Sequence, residues 1–535
     1  MSLLALAFSR RYITLTIVAA LTVLLAPLAL GHVLWALAWA AAAALTALGL
    51  HDLRQTGHSV LRTYPIAAHL RFLLEDVRGE IRQYFIESDT EGVPFSRNKR
   101  AIVYQRAKGE LDKRPFGTLL DVYAPSFEWV NHSMAPAEPA GAPFRVLVGA
   151  QGAQPYDASV LNISAMSFGA LSANAIRALN RGARLGGFAH DTGEGGFSQY
   201  HREGGGDVIW QVGSGYFGCR DADGRFSPER FADIAAAPQI KMIEIKLSQG
   251  AKPGHGGVLP GAKVSAEIAA ARGVPQGKDC ISPATHSAFS TPVEMLEFAA
   301  RLRELGGGKP VGFKLCVGHP WEFMAICKAM LHTGLTPDFF VIDGSEGGTG
   351  AAPLEFVDHV GMPLREGLMF VHNALVGTGL RERIRLGASG KVASAFDMAR
   401  VMALGADWCN AARGFMFAIG CIQAQNCHTG RCPVGVATQD PVRQRSLVVP
   451  DKAERVHQFH HSTVRALAEL IAAAALTPPH LLRPHHLSRR ISPSEIRGYD
   501  RIYRFLTPGE LLAGTAEAPY AEAWAKARAD SFAPA

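Results

Sequence analysis

Three cysteines in the carboxyl-terminal third of the chain stand close enough together to ligate a metal. Cys421, Cys427 and Cys432 lie in the stretch GCIQAQNCHTGRCPVGVATQDP, where Cys-Pro closes the cysteine run. Iron–sulfur clusters require thiolate ligands, and a compact run that ends in Cys-Pro is typical of bacterial ferredoxins. Three ligands indicate a cluster with three irons. Two alternatives stay open, namely three unrelated buried thiols and a zinc site, although the paired CxxC spacing of zinc sites is missing.

Glycine-rich loops supply a second set of candidate residues. Glycine lets backbone N–H groups approach a phosphate without a Cβ in the way. The loops read AMSFGALS, DTGEGG, KLSQGAKPGHGG, GSEGGTG, GASGK and NAARG. Six such loops at one end of a fold favour a large phosphorylated cofactor, and ordinary strand-to-helix turns remain the alternative.

Short apolar runs alternate with helical stretches from about residue 155 onward. This alternation indicates repeated βα units, and eight of them predict an α/β fold of the (β/α)8 TIM-barrel type. The predicted strands are Val160–Ser164, Phe188–Asp191, Ile240–Lys246, Asp279–Ser282, Val311–Cys316, Asp338–Asp343, Arg383–Ala388 and Ala406–Asn410. In such a barrel the active site lies at the carboxyl ends of the strands, and phosphate is held after strands seven and eight.

One segment imitates a dinucleotide-binding fingerprint. The residues Gly213-Ser-Gly-Tyr-Phe-Gly218 match GxGxxG, but they follow no clear predicted strand and the next residues indicate a turn. Because the fingerprint requires a strand before it and a helix after it, we expect no direct NAD(P) binding. Electrons would then arrive by another carrier.

Composition excludes several classes of protein. Hydrophobic residues make up 48% of the 535 residues and charged residues 19%, which excludes a disordered chain. The 54 Lys+Arg against 47 Asp+Glu give a net charge of +7, spread along the chain. Such an excess favours anionic lipids or small molecules over nucleic acid, so no nucleic-acid partner is expected. The eight cysteines show no disulfide framework, which indicates a reducing compartment.

The segment from Tyr12 to Leu50 contains no Asp, Glu, Lys or Arg and is long enough for two membrane spans. Arginines flank it on both sides, so the positive-inside preference is met only if both flanks share one side. These features predict a multi-pass protein of the cell inner membrane whose main body is cytoplasmic. The alternative is a twin-arginine export signal at Arg10 and Arg11, although the apolar run is much longer than a signal peptide requires.

Four regions follow from these patterns. Residues 1–50 are predicted to form a membrane anchor of two transmembrane helices, and residues 51–150 a connector that packs on the barrel. Residues 151–450 would form the barrel with its cysteine loop. Residues 451–535 are predicted to be a helical extension.

Taken together, the motifs resemble the synthase region of the FMN-binding glutamate synthase family. The stretches that carry this resemblance are AMSFGALS (165–172), DTGEGG (191–196), IEIKLSQGAKPGHGGVLPGAKV (243–264), GSEGGTGAAP (344–353) and CIQAQNCHTGRCPVGVATQDP (421–441). They recur in the family's order over roughly residues 150–450. Within that family the chain is most similar to stand-alone, membrane-anchored members, whose connectors contain stretches like HLRFLLEDVRGEIRQYF (69–85).

The resemblance implies two cofactors, FMN and a 3Fe-4S cluster held by the three cysteines. Gln249 and Lys314 would address the polar edge of the flavin. Other residues would lie against the flavin or bind its phosphate, namely Ala165, Met166, Ser167, Gly347, Gly348, Ser389, Gly390, Ala412 and Arg413. The sequence departs from the family in having Ala412-Arg413-Gly414 where glutamate synthases tend to read Gly-Thr-Ala, which puts the phosphate contacts in doubt.

Charged residues in the same loops suit the expected chemistry. A lysine at the end of a barrel strand, Lys314, can stabilise negative charge that develops on a reduced flavin. A dicarboxylate substrate needs cations, and Lys246 and Lys252 flank Gln249. Glu194 is a candidate for proton management or for coupling to the nitrogen donor. Loop capping and surface ion pairing are the alternative roles for Glu194 and Lys252.

The expected activity is reductive amination of 2-oxoglutarate to glutamate, with electrons from ferredoxin or a partner reductase. The chain begins MSLLALAF and not with a glutaminase-type cysteine, so nitrogen is expected from a separate glutaminase subunit, free ammonium or another amine. One alternative is a membrane-linked amine or amino-acid dehydrogenase that passes electrons to quinone. A further alternative is a non-catalytic FMN-binding redox subunit.

Overall fold

A computed structural model of the protein describes residues 9–141 and 143–535. The chain divides into two compact units, Met1–Gly92 and Val93–Ala535. Each unit is described by itself.

The first unit consists mainly of helices. Its α-helices are Ile13–Leu25, Val33–Arg54, Ser59–Thr63, Ala67–Asp76 and Arg78–Ile81, with a 3-10 turn at Leu28–Leu30 and a π turn at Arg82–Ile86. Val33–Arg54 is long and apolar enough to cross a membrane, with a mean hydropathy of 1.9 over its most apolar window. Ile13–Leu25 has 13 residues, fewer than the roughly 20 that one crossing needs. The hydroxyls of Thr22 and Thr46 lie 2.9 Å apart and join these two helices.

The second unit is built around a closed barrel of eight parallel strands, which are neighbours in the order in which they follow along the chain. Pairing of Cys409 with Leu161 closes the ring. The barrel strands are β4 Leu161–Ile163, β5 His190–Asp191, β6 Val208–Val212, β7 Ile240–Lys246, β10 Val311–Leu315, β11 Phe339–Asp343, β12 Arg385–Ser389 and β13 Trp408–Ala411. The predicted TIM barrel is therefore confirmed.

Helices surround the barrel, and strands outside it cover its ends and sides. The α-helices are Arg97–Lys108, Ala173–Gly186, Gln199–Gly204, Pro228–Ala235, Ala266–Arg272, Pro292–Leu305, Pro320–Thr333, Leu354–His359, Leu364–Gly377, Ala395–Ala403, Arg413–Ala418, Pro441–Gln444, Val449–Ala473, Tyr499–Ile502 and Tyr520–Lys526. The remaining strands are β1 Glu128–Val130, β2 Arg145–Val148, β3 Tyr156–Ser159, β8 Val258–Leu259, β9 Cys280–Ile281, β14 Leu487–Ser492 and β15 Glu495–Gly498.

The inside of the barrel has an apolar layer and a polar layer. Because side chains alternate along a strand, residues two apart on one strand face the same way. The β2–β3 hairpin packs Val148 and Tyr156 against the inward-facing Ile209 and Met242, in one cluster with Trp408. Two residues further along their strands, Gln211 and Glu244 occupy the next layer toward the carboxyl ends. The apolar layer therefore closes one end of the barrel, and polar residues line the other.

Two predicted strand assignments are wrong. Asp279–Ser282 contains a real strand, β9, but β9 pairs antiparallel with β8 in the long loop between β7 and β10. The third barrel strand is instead β6, which the sequence analysis missed because Trp210 and Gln211 interrupt its aliphatic pattern. Because one barrel strand was missed and one strand was wrongly assigned to the barrel, the predicted number of barrel strands before Val311–Leu315 is still correct, and Val311–Leu315 is the fifth strand.

The reason given against a dinucleotide fingerprint also needs correction. The segment beginning at Gly213 does follow a strand, β6. Tyr216 then adopts a positive φ of 47°, and the next helix, Pro228–Ala235, begins ten residues after Gly218. The fingerprint still lacks the helix that must follow its last glycine.

The carboxyl-terminal region is only partly helical, in contrast to the prediction. Val449–Ala473 is a long helix whose buried face packs in the core. After it, β14 pairs with β15 and with the distant β1 to form a three-stranded antiparallel sheet. The residues of β14 show no period-two alternation in burial, so their sequence carries little sign of this strand.

Candidate functional site

The carboxyl end of the barrel carries a linked set of charged and amide side chains. Lys246, the last residue of β7, donates to Gln249 Oε1 at 2.7 Å and lies 3.2 Å from Glu194 Oε2. The hydroxyl of Ser282 lies 3.4 Å from the same Glu194 oxygen. Burial alone would raise the pKa of Glu194, but Lys246 and Arg272 together hold it below its ordinary value. Glu194 is therefore a carboxylate at neutral pH.

Lys314 on β10 pairs in register with Lys246 on β7 and is the more buried of the two. Its side chain is 6% exposed, and its Nζ is 3.8 Å from Asp343 Oδ2. Burial would lower the pKa of Lys314, but the carboxyl groups of Asp343, Glu244 and Asp191 raise it above its ordinary value. Lys314 is thus a fixed ammonium at the centre of the polar layer.

Asp191 and Glu244 complete the polar layer on the neighbouring strands. Both residues are fully buried. Gln211 Nε2 donates to Glu244 Oε1 at 2.6 Å, and Gly193 N donates to Asp191 Oδ1 at 2.9 Å. Burial raises the pKa of each carboxyl group, and for Asp191 the nearby Glu244 raises it further.

Lys252 does not extend into the barrel mouth. Only 7% of the residue is exposed, and its Nζ donates to the carbonyl oxygen of Gly256 in its own loop. Burial lowers the pKa of Lys252. Its charge still acts on Glu194, where it contributes to the lowered pKa.

The loop after β4 lies against the loop after β5. Met166 N donates to the carbonyl oxygen of Asp191 at 3.3 Å, and the side chain of Met166 is buried. Gly193 has a φ of +60°, and a Cβ there would come within 3.0 Å of Ser167 N. Glycine is needed at this position because both the backbone conformation and the close approach exclude a side chain. Ala165 and Ser167 are partly exposed in the same loop.

The loops after β7 and β11 touch backbone to backbone. Gly250 N donates to Asp343 Oδ2 at 2.9 Å. A Cβ on Gly250 would meet the carbonyl oxygen of Gly344 at 1.7 Å, so only glycine fits. This contact brings the Gln249 loop and the GSEGGTG loop together at the mouth of the barrel.

Cations collect at the ends of β12 and β13. Arg413 donates to the carbonyl oxygen of Glu346 at 2.7 Å, and its guanidinium lies 4.8 Å from the ring centre of Phe95. Burial lowers the pKa of Arg413 to about 10. Burial, and next the charge of Arg413, lowers the pKa of Lys391. Two cations this close together form a site that favours an anion.

The other residues predicted for phosphate binding lie around these cations. The hydroxyl of Ser389 is 3.3 Å from that of Ser164, so side chains at the ends of β12 and β4 meet in front of β13, which lies between the two strands. A Cβ on Gly348 would lie 2.9 Å from Arg413 Cζ. Gly347, Gly390 and Ala412 are partly exposed in the same three loops.

The cysteine loop is anchored to the rest of the second unit by hydrogen bonds. Tyr104 donates to the carbonyl oxygen of Cys421 at 2.6 Å, and Gln423 N points at Cys421 Sγ at 3.5 Å. Lys263 Nζ donates to the carbonyl oxygen of Cys427 at 2.8 Å. The loop is thus joined to the segment that follows β8.

The three thiols lie close enough to influence one another. Burial raises the pKa of Cys421 to about 12, and both other cysteines contribute to the rise. Burial and the nearby Cys432 raise the pKa of Cys427. Within the described part of the chain, no group of three or more His, Cys, Asp or Glu side chains converges closely enough to hold a single metal ion. The cysteine ligands of an iron–sulfur cluster lie farther apart than the ligands of a single metal ion, because iron and sulfide lie between them.

Several residues of the site escaped sequence reasoning. Asp191, Glu244 and Asp343 are carboxyl groups at strand ends, and period-two alternation along each strand could have placed them inside the barrel. Arg272 and Lys263 reach the site from the long excursion between β7 and β10. Nothing in their local sequence signals that position.

Comparison with known proteins defines the class of this fold and site. Residues 154–477 match the family model for the conserved region in glutamate synthase. The chain therefore belongs to the glutamate synthase family, and it is an oxidoreductase of the class that acts on CH–NH2 donors.

Individual relatives agree with this membership. The chain is 39% identical over 501 residues to the glutamate synthase large subunit-like protein YerD of Bacillus subtilis, covering 86% of this chain and 95% of the relative. It is 37% identical over 322 residues to the archaeal glutamate synthase [NADPH] of Methanocaldococcus jannaschii, covering 60% of each. It is 35% identical over 263 residues to ferredoxin-dependent glutamate synthase 2 of Synechocystis, covering 49% of this chain and 16% of that protein.

Proposed function

We propose that the protein binds FMN and a 3Fe-4S cluster and reductively aminates 2-oxoglutarate to glutamate, with electrons from ferredoxin or a partner reductase. The observation that carries the proposal is the group of Lys246, Gln249 and Glu194 at the mouth of a glutamate synthase family barrel, beside the buried Lys314. A dicarboxylate needs cations, and Lys246 and Lys314 are two cations at this end of the barrel. Two relatives are named glutamate synthases, and one of them is named ferredoxin-dependent.

The residues around β12 and β13 fit the phosphate of FMN. Lys391 and Arg413 are adjacent cations, and a phosphate between them would relieve their mutual repulsion. The hydroxyls of Ser164 and Ser389 and the open backbone at Gly390 add donors. This is the position where TIM barrels usually hold phosphate. When bound, FMN supplies hydride transfer.

The cysteine loop fits an iron–sulfur cluster by its donor set. Three cysteine thiols are the ligands that such a cluster requires, and the N–H of Gln423 already points at one sulfur. Lys263 adds a positive charge beside Cys427, where a thiolate-ligated cluster carries negative charge.

Within this proposal, the side chains at the mouth of the barrel bind the substrate and orient it. Lys246 and Lys314 attract the carboxylates of the substrate, and Lys246 holds the amide of Gln249 in place. Glu194, a carboxylate at neutral pH, attracts an ammonium ion or a cationic amine to the same mouth. A separate glutaminase subunit, free ammonium or another amine would supply that nitrogen.

The apolar helix Val33–Arg54 favours a second candidate function. If the helices Ile13–Leu25 and Val33–Arg54 anchor the protein in the cell inner membrane as a hairpin, the barrel lies in the cytoplasm beside the quinone pool. The same cofactors would then suit an amine or amino-acid dehydrogenase that passes electrons to quinone. An arginine at Leu37 raises the free energy of insertion of a span by about 2.5–3.5 kcal/mol, so L37R should release the protein from membranes upon carbonate extraction.

Anaerobic stopped-flow on the purified protein separates the two functions. The dithionite-reduced protein is mixed with 2-oxoglutarate plus ammonium, and the oxidised protein is mixed with glutamate or N-methylglutamate, with a quinone analogue added only after the flavin bands have been recorded. Return of the oxidised flavin bands in the first mixture supports the synthase, whereas bleaching in the second supports the dehydrogenase. A protein without flavin bands as purified refutes both.

A further inference from the structure

Asp191 and Glu244 form an unusual pair in the polar layer of the barrel. They lie on β5 and β7, which flank β6, and neither residue is exposed. One oxygen of each carboxyl group has a donor, from Gly193 N and from Gln211 Nε2 respectively. The second oxygens, Asp191 Oδ2 and Glu244 Oε2, are buried and have no hydrogen-bond donor.

A buried carboxylate oxygen without a donor is costly, and two of them on neighbouring groups repel each other. A single proton between Oδ2 and Oε2 removes both problems, because one acid then donates to the other. Aspartic proteases use the same arrangement of two carboxyl groups and one proton. Burial raises the pKa of both acids, and the neighbouring Glu244 raises the pKa of Asp191 further.

The neighbouring charges also require this proton. The groups that face the pair are Gln211 on β6, Lys314 on β10 and Asp343 on β11. With all three acids ionised, the layer would hold three negative charges and one ammonium. One shared proton lowers this to two negative charges and one positive, which is closer to balance beneath a mouth that receives anions.

We propose that Asp191 and Glu244 share one proton at neutral pH and form a neutral-acid and carboxylate pair on the floor of the barrel. The shared proton limits the negative charge of the polar layer, which lies beneath the anionic ligands of the proposed function. Its existence does not depend on that function, because the two acids belong to the protein alone. Only its consequence for anionic ligands rests on the proposed function.

Infrared difference spectroscopy tests the pair without any ligand. The spectrum of the wild-type protein minus that of E244Q, and likewise minus that of D191N, cancels the bands of any bound flavin. Each difference should contain the carbonyl band of one protonated carboxyl group, shifted in D2O. Each single variant loses this band, since the remaining acid then ionises beside Lys314.

Asp397 provides the matched control. It is buried as well, but Lys99 lies 3.0 Å from its Oδ1 and Arg400 3.2 Å from the same atom. Burial would raise the pKa of Asp397, yet these two cations hold it below its ordinary value. Asp397 is therefore ionised, and the difference between wild type and D397N should lack the protonated carboxyl band.

A variant that fails to fold does not leave the question open, because the wild-type protein can be titrated by itself. Its protonated carboxyl band should be present at neutral pH and should weaken as the pH is raised from neutral into the alkaline range. A wild-type spectrum without such a band throughout this range overturns the proposal, as does a band that survives in both E244Q and D191N. A colourless, inactive protein that shows the band would refute only the proposed function, and a yellow, active protein without it would refute only the shared proton.

Discussion

Removing the ammonium of Lys314 should destabilise the barrel strongly, because three buried carboxyl groups surround it. At an effective dielectric constant of about 20, the 3.8 Å separation from Asp343 Oδ2 corresponds to about 4 kcal/mol of Coulomb energy. Breaking a buried ion pair by removing one partner costs about 3–5 kcal/mol, since the other charge stays buried and uncompensated. We therefore expect K314M to lower the free energy of unfolding by about 3–5 kcal/mol.

Urea denaturation in detergent measures this effect. The fluorescence of Trp210 on β6 and Trp408 on β13 reports the barrel, because both indoles are fully buried. D343N removes the facing charge, and the K314M/D343N double variant removes both. The double variant should be more stable than the sum of the single effects predicts, with a coupling of about 1–3 kcal/mol.

An exposed ion pair provides the control for this cycle. Arg465 and Glu469 are paired at 3.2 Å on the surface of the helix Val449–Ala473. Exposed pairs contribute about 0–1 kcal/mol, so R465Q should change the unfolding midpoint little. Strict additivity of K314M and D343N, or a K314M effect as small as that of R465Q, would refute the charge-balance reasoning.

Three further predictions concern pH, the cysteine loop and the cation pair. The pKa of Glu194 lies below its ordinary value in the folded protein. Its contribution to stability is therefore present above the ordinary carboxyl pKa and is lost as the pH falls through the folded value. E194Q should accordingly flatten the acid limb of a plot of unfolding midpoint against pH. C427S should abolish the iron and sulfide of the purified protein, whereas C327A, which changes a buried thiol in the helix Pro320–Thr333, should retain both on elemental assay. R413Q should weaken FMN binding about 10- to 100-fold in a fluorescence titration, which corresponds to the roughly 1.5–3 kcal/mol of a hydrogen bond to a charged group. The control is R431Q, which changes an exposed arginine of the cysteine loop and should leave FMN binding unchanged.

Sequence patterns were sufficient for the barrel and for most of its mouth. The glycine-rich loops were correctly predicted to follow the carboxyl ends of the strands. In these loops Gly193 and Gly250 lie close to neighbouring backbone, where a side chain would not fit. Lys246 and Gln249 were predicted in one loop and Glu194 in another loop of the same end, and in the structure Lys246 lies within hydrogen-bond distance of Gln249 and ion-pair distance of Glu194. Seven of the eight barrel strands were also found in approximately the right places.

The errors arose where a local sequence pattern was used to predict a feature that depends on distant parts of the chain. β9 has the composition of a strand, but whether a strand joins the barrel or a hairpin depends on its partner, which the sequence does not encode locally. The polar layer was missed for a related reason. Asp191 and Glu244 come together only because eight strands close into a ring, and no motif spans the 52 residues between them.

The contact between Gly250 and Gly344 has a consequence for engineering. Because the two backbones leave no space for even a methyl group, neither loop can be redesigned alone. A chimaera that imports the Gln249 loop from a relative must import the GSEGGTG loop as well, or the grafted segment will be displaced from its seat. Substrate preference in this scaffold would accordingly change by exchange of matched loop pairs and not by single insertions.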